Sequence, residues 1–506
     1  MERAALGGSR SVAVILAAAV LSMLALVAPS ASAVTAIALS LALAVMLAAI
    51  RLTVVPWGRL VALILLVVLF VPIDRYELPA SLPFNLELYR IVVALCVAVW
   101  VASVLVDPKV RLVRTAFDGP LALIGISVLA SEITNPGRFS TYDSWVVKGL
   151  MFFLSFILVY YLTATTLKTR GSVEFLLKLL TVSGAAIGAL AVYERRSHYD
   201  VFDHLHSVLP FLRFNGTLSY QTLADGQIRV FGPSQQPIAL GAMMILILPL
   251  AVYFARACGR RWWIAAVLLL LGAFASGSRT AMMMLAAEVI VFLVLKPKET
   301  KKLWPALVPA VVIIHFALPG TIGGLKEAFF PKGGIIAQQS RFESDWNPQL
   351  AGGRIRLIGP MLSEVSNEPL FGEGFGTRIS GFNSPERNAP ILDDQWLDNI
   401  MDIGFVGFAA YIWLFVRGVR SLSRASRASR HAFDDWLFAA LAASVTGFGI
   451  GMLTFDAFGF TQVTFIFWVL LGLSAVLLRL SAAQPALETR RAGHAVGRRL
   501  RAAGQP

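Results

Sequence analysis

Four short stretches hold the residue types that can grip an anion and move a proton. RVFGPSQQPIALG begins at Arg229, and ASGSRTAMMM carries Arg279. GGRIRLIGPMLSEVSNEPLFGEGFGT, residues 352–377, holds Arg354 and Arg356 two residues apart, with Arg378 just beyond. LDDQWLDNIMDIGFVG, residues 392–407, clusters Asp393, Asp394 and Asp398, with Asp402 at i+4 from Asp398. Guanidinium is the preferred partner of phosphate, because its planar fork donates two hydrogen bonds while keeping its charge. Converging arginines therefore suit a pyrophosphate, although a sulfated or carboxylated glycan also fits, and charge alone does not choose. The Asp393/Asp394 pair can accept a proton from an attacking hydroxyl, making it a candidate catalytic pair. The same carboxylates can equally form structural ion pairs with the arginines, and Asp402 is expected to be structural. Gly372, Gly374 and Gly376 in GEGFG permit a tight turn and close backbone approach to a ligand. They are not a nucleotide loop, since no buried strand precedes them and no Lys-Ser/Thr follows.

These stretches must be positioned by a membrane bundle. Hydrophobic residues are 57% of the 506, charged residues only 15%, and mean hydropathy is +0.71, a bias no ordinary soluble core accommodates. The apolar residues come in blocks of about 15–22, the length that crosses roughly 30 Å of hydrocarbon as helix. Fourteen candidate spans lie near 11–28, 32–50, 58–72, 88–106, 119–134, 147–167, 174–193, 236–257, 262–275, 279–296, 303–319, 396–417, 436–456 and 461–480. The expected fold class is an all-α integral membrane protein, a polytopic bundle of about 12–14 transmembrane helices with two large extracytoplasmic loops.

Net charge is +14, which in a soluble chain would point to nucleic acid. Here its placement is a topology signal. Alternate connections hold Arg51 and Arg59; Lys109, Arg111 and Arg114; Lys168 and Arg170; Arg256, Arg260 and Arg261; Lys296 to Lys302; RGVRSLSRASRASR; and the tail RRAGHAVGRRLR. The positive-inside rule makes these faces and both termini cytoplasmic, with anionic membrane lipid as a partner for the tail and no role for nucleic acid. The chain then divides into N-terminal spans 1–193, a first outer loop 194–235, central spans 236–319, a second outer loop 320–395, C-terminal spans 396–480 and a basic cytoplasmic tail 481–506, read as flexible. The N-terminal apolar run followed by APSASA resembles a cleavable signal, but a second apolar run follows at once, favouring a retained helical hairpin.

Against this topology the arginines of the outer face stand out. Arg279 lies in a link so short that it sits at the membrane edge, where an ionised group must pair or meet a ligand. Arg341, Arg378 and Arg387 read equally well as solvated loop residues. His198, His204 and His206 form no metal pattern and read as solvated, while His315 is expected to pack inside the bundle. Cys96 and Cys258 have no metal spacing, and no disulfide is expected. No internal repeat supports a transporter built on inverted halves. A transporter or flippase of lipid-linked or anionic sugars would also need charges deep in several spans, and these spans are almost free of them. A non-catalytic envelope assembly protein would tolerate neutral replacement of the outer arginines.

The four stretches, in this order and on one face, resemble the O-antigen ligase and polysaccharide polymerase family of GT-C type membrane glycosyltransferases. RVFGPSQQPIALG is similar to the family's Arg, Gly and amide segment entering a helix, and SGSRTAMMM to its Ser-x-Ser-Arg turn. The 352–377 stretch resembles its Arg-containing helix running into a Pro-Leu-x-Gly-x-Gly turn. DDQWLDNIMDIGFVG resembles its His-Asn-x-x-Leu segment, with Asp393 and Asp394 where ligases place histidine and asparagine. The resemblance covers roughly 229–410. It implies glycan transfer from an undecaprenyl-pyrophosphate carrier to an acceptor sugar, without metal, nucleotide sugar or cofactor. The transfer is implied at the outer face of the cytoplasmic membrane, in cell-surface polysaccharide biosynthesis alongside a flippase and chain-length regulator. It further implies that Arg229, Arg279, Arg354 and Arg356 hold the pyrophosphate.

Overall fold

The computed structural model describes residues 56–79, 87–107, 109–216, 228–321, 323, 326, 329–330, 354–379, 388–389, 392–429 and 432–503. The candidate spans at 11–28 and 32–50 lie outside them, as do Arg341 and Arg387. Each candidate span from 58 onward corresponds to a helix. These are α1 (Trp57–Phe70), α2 (Leu88–Val106), α3 (Asp118–Thr134), α5 (Asp143–Thr166), α6 (Arg170–Ser197), α7 (Pro237–Ala257), α8 (Trp262–Ala275), α9 (Arg279–Leu295), α11 (Leu307–Ala317), α13 (Gln395–Ala428), α14 (Ala432–Gly451) and α15 (Thr461–Ala503). Short helices α4 (Pro136–Thr141), α10 (Pro297–Lys301) and α12 (Arg354–Val365) lie in connections. Among the described residues six helices are long and apolar enough to cross a membrane, namely α2, α5, α6, α7, α13 and α15.

Burial ranks the spans. The apolar windows of α7 and α15 are 89% and 83% buried, whereas those of α2 and α5 are 39% and 33% buried, leaving their outer faces to lipid. A central helix must be apolar all round, as PIALGAMMILILPLAVYFARA in α7 is. Close packing needs small residues where backbones meet: at Gly188 of α6 an added side chain would strike the α8 backbone, 2.9 Å separating a Gly272 Cβ from the Gly188 Cα.

Two departures from the sequence expectation concern backbone form. The tail predicted to be flexible continues α15 to Ala503, which suits a segment rich in the strong helix formers Ala, Arg, Leu and Glu. A two-residue strand pair also appears in an otherwise helical fold: β1 (Tyr76–Glu77) runs antiparallel to β2 (Arg213–Phe214), tying a short connection to the 194–235 loop.

The connections sort into two ends. At one end Arg170 pairs with Asp434, Lys296 with Asp435, and Arg479 donates to the carbonyls of Ala164 and Leu167. At the other, Arg75, Arg138, Arg196, Arg229 and Arg378 find their partners. The second group frames the site.

Candidate functional site

The segment entering α7 is fixed by buried polar groups. Glu194, at the end of α6, accepts the N–H groups of Phe231 (3.1 Å) and Gly232 (2.9 Å). Arg75, only 1% exposed, pairs with Asp200 (2.6 Å) and Asp203 (2.9 Å) and donates to the carbonyls of Gly232 and Ser234. The Ser234 hydroxyl donates to Gln462 Oε1 (2.6 Å), and the Gln462 amide donates to Val68 and Leu69 in α1. Gln235 accepts from Thr461 N (3.1 Å) and donates to Asp74 (2.5 Å). Buried charges and amides are tolerable only when satisfied in this way. The result is a rigid segment that delivers Arg229 to one place: its Nε donates to the Ser276 carbonyl at 3.2 Å, while Val230 N donates to Ala275 O.

That carbonyl belongs to the Ser-Gly-Ser-Arg turn. Gly277 takes φ +59°, and Ser278 then caps α9 through Ala281 N at 3.4 Å. Arg279, half-buried, is the first residue of α9. Arg279 thus opens a helix whose N-terminal N–H groups and positive dipole end favour an anion. The next residue stitches the turn to a third segment: Thr280 donates to Thr454 O (3.3 Å) and accepts from the Thr454 hydroxyl (2.9 Å).

Residues 452–460 connect α14 to α15 and clasp the start of α13. Gln395, 3% exposed, donates its N–H to Met452 O (2.8 Å), accepts Phe458 N (2.7 Å), and points its amide at Asn399 (3.2 Å) and Asp398 (3.4 Å). Asp394 caps α13, its Oδ1 accepting from Trp396 N (3.0 Å) and Leu397 N (3.1 Å), and Asp393 beside it is exposed. Asp456, half-buried on the clasping loop, accepts Gly459 N at 3.0 Å. Burial, then the nearby Asp398 and Asp393 carboxylates, push it up to about 7. Arg378, with a side chain only 5% exposed, lies 4.0 Å from Asp398. Arg378 Nη1, Asn399 Nδ2 and Asp402 Oδ1 are buried without a hydrogen-bond partner among the described residues.

The glycine-rich turn holds α13 in shape. Gly404 has φ +66° and ψ −172°, which breaks α13 six residues beyond Asp398. The freed backbone groups are taken up by the 369–373 stretch: Phe405 N donates to Pro369 O (2.9 Å), Val406 N to Leu370 O (3.3 Å), and Glu373 N to Met401 O (2.8 Å). Gly372, at φ +72°, passes so close to Met401 and Gly404 that no side chain fits. Gly374 and Gly376 also have positive φ. The close approach that Gly372 permits is thus to the broken helix, whereas Gly376 lies against Val146 and Gly149 of α5 and Gly374 against Thr377 and Asn135. Glu373 pairs with Arg138 of α4 (2.8 Å), and Asn135 donates to Gly372 O (2.8 Å).

The structure therefore gathers Arg229, Arg279, Asp393, Asp394, Asp398 and Arg378 at one end of the bundle. Arg354 and Arg356 open α12, and their side chains lie outside the described residues. His204 Nδ1 lies 3.0 Å from Asp200 O, His198 ends α6 in the left-handed conformation, and His198, His204 and His206 are all exposed. His315, expected inside the bundle, is exposed on α11, against the side of Phe316, while its neighbour Ile314 is buried. Asp456, Gln395, Arg75 and Glu194 were not singled out by sequence. Arg75 and Asp74 break a short link between spans, and Gln462 opens an apolar span, which are the signals that mark them.

Fold and site together define a multi-pass helical membrane protein whose polar end is lined by arginines and carboxylates. Residues 264–412 match the family model for the O-antigen ligase, which supports an O-antigen ligase/polymerase-like family. The family suggests a glycosyltransferase-like enzyme, with a lipid-linked glycan donor and a sugar acceptor. No curated protein matches the chain.

Proposed function

We propose that the protein transfers a glycan from an undecaprenyl-pyrophosphate carrier to an acceptor sugar at the outer face of the cytoplasmic membrane, as a ligase or polymerase of surface polysaccharide. The observation that carries this reading is the stitching of Arg229, through Ser276, to the Arg279 turn, and of that turn, through Thr280 and Thr454, to the loop clasping the aspartate end of α13. A pyrophosphate docks against Arg229 and Arg279, with Arg354 and Arg356 closing from α12, while the carrier's tail lies in the bilayer. An acceptor hydroxyl loses its proton to a carboxylate at the head of α13, Asp393 or Asp394, and its oxygen attacks the anomeric carbon. The bond to the pyrophosphate breaks with its electron pair on the departing oxygen, and the arginines stabilise that charge.

The test is turnover by purified protein of a lipid-pyrophosphate-linked oligosaccharide, read as released lipid pyrophosphate together with glycan transfer or extension. Arg279→Lys is expected to lose most activity at equal abundance, because an ammonium cannot replace the two-pronged fork; a loss of roughly a hundredfold corresponds to the ~3 kcal/mol carried by one well-placed charged donor. Asp393→Asn/Asp394→Asn is expected to fall as far. Donor binding without turnover by the wild type overturns the transferase reading.

A further inference from the structure

Among the charged residues inside the described spans, Glu288 stands far from the candidate site. Glu288 lies nine residues into α9, about 13 Å along the helix from Arg279. It is 2% exposed, and its Oε1 has no hydrogen-bond partner among the described residues. Room for the carboxyl comes from α14: a Cβ on Gly447 would sit 2.7 Å from Glu288 Oε1. Beside Glu288 is a cavity of about 200 Å³, lined also by Pro249, Val252, Phe292, Trp304 and Trp436. Cavities of about 150 Å³ with apolar walls already admit benzene.

The surroundings state what chemistry this cavity accepts. No ion pair reaches Glu288 among the described residues. The cations at the near end of the bundle are engaged elsewhere, Lys296 with Asp435 and Arg256 over the Trp436 ring at 5.1 Å. Thr300, also in the lining, spends its hydroxyl on Phe292 O and Lys296 O. An unpaired carboxylate in hydrocarbon is too costly, so the group sits as a neutral acid whose O–H seeks an acceptor. The cavity rim is apolar and exposed at Val289 (43%) and Trp304 (61%), so its opening faces lipid. We infer that the Glu288 cavity is a binding site, entered from the bilayer, for an uncharged lipid-soluble molecule with an apolar body and one hydrogen-bond acceptor. It is separate from glycan transfer and does not depend on that reading.

The probe is dicyclohexylcarbodiimide, applied to the full chain in phospholipid nanodiscs. The carboxylic O–H adds across one C=N bond, oxygen to the central carbon and proton to nitrogen. Migration of the acyl group to nitrogen then leaves a stable N-acylurea heavier by the whole reagent, with no group lost. Mass spectrometry of the peptide containing Glu288 is expected to show this adduct, absent in Glu288→Gln. Val252→Phe, which fills the cavity and leaves the carboxyl in place, is expected to slow labelling at least tenfold and serves if Glu288→Gln does not fold. Dodecanol is expected to protect roughly fivefold better than dodecane, the effect of one hydrogen bond. No adduct at Glu288, equal labelling by a cationic water-soluble carbodiimide, or equal protection by alcohol and alkane would each overturn the proposal.

Discussion

Asp456 gives the sharpest prediction. It holds its proton to about 7 in the folded protein, against an ordinary value of 3.8, because of its burial and the nearby Asp398 and Asp393. The sign follows from linkage. Between those values the folded state keeps the proton and the unfolded state releases it, so stability falls as pH rises through that window and levels off above it. At about 1.4 kcal/mol per pH unit over about three units, the ceiling is ~4 kcal/mol, and contact of a half-buried group with water brings the expectation nearer ~2 kcal/mol. Asp456→Asn removes the titration while keeping an oxygen for Gly459 N–H. Thermal unfolding of both proteins in one detergent, at about pH 5 and about pH 8, cancels every other titrating group when the differences are compared. The variant is expected to gain on the wild type by ~2 kcal/mol between the two pH values. Parallel pH dependence of the two proteins would refute the reasoning, since Asp456 would then titrate as an ordinary exposed carboxylate.

Two other positions test how the site is held. Gly404→Ala puts a side chain at φ +66° against the Leu370 carbonyl, and it should cost ~2–3 kcal/mol and lower monodisperse yield in size-exclusion chromatography. Gln395→Leu leaves Phe458 N without its acceptor; a loss of ~1–3 kcal/mol in detergent melting is expected, with glycan transfer falling more than stability because the clasp on α13 opens.

How much of this was legible in the sequence differs by feature. The helices were, since apolar blocks of spanning length leave little choice once backbone groups must be satisfied in hydrocarbon. That Arg229, Arg279 and the aspartates stand at the ends of spans was legible because charge at a span boundary is conspicuous. What the glycines approach was not: GEGFG reads as a turn near a ligand, and only the break at Gly404 shows that its neighbours supply hydrogen bonds to α13. Asp456 was hidden for a different reason. It was counted as the last residue of a span, whereas the helix ends at Gly451 and frees the following residues to form the clasp. Its proton affinity depends on carboxylates about sixty residues away in sequence, a juxtaposition no local pattern encodes.

The family match also bears on where the site can be assembled. It covers residues 264–412, which includes the Arg279 turn, α12, the glycine turn and the head of α13. Arg229 lies before it and the 452–460 loop that carries Asp456 lies after it, yet both are joined to it by direct hydrogen bonds, Arg229 to Ser276 and the loop, through Thr454 and Phe458, to Thr280 and Gln395. Arg229 in turn depends on Arg75, Glu194 and Gln462, residues spread across nearly the whole described chain. Segments so distant meet only when α6, α7 and α15 are packed. The arginine and carboxylate groups are therefore positioned by the complete bundle, and damage to the Arg75–Asp200 pair should reach the Arg279 turn through Gly232 and Arg229.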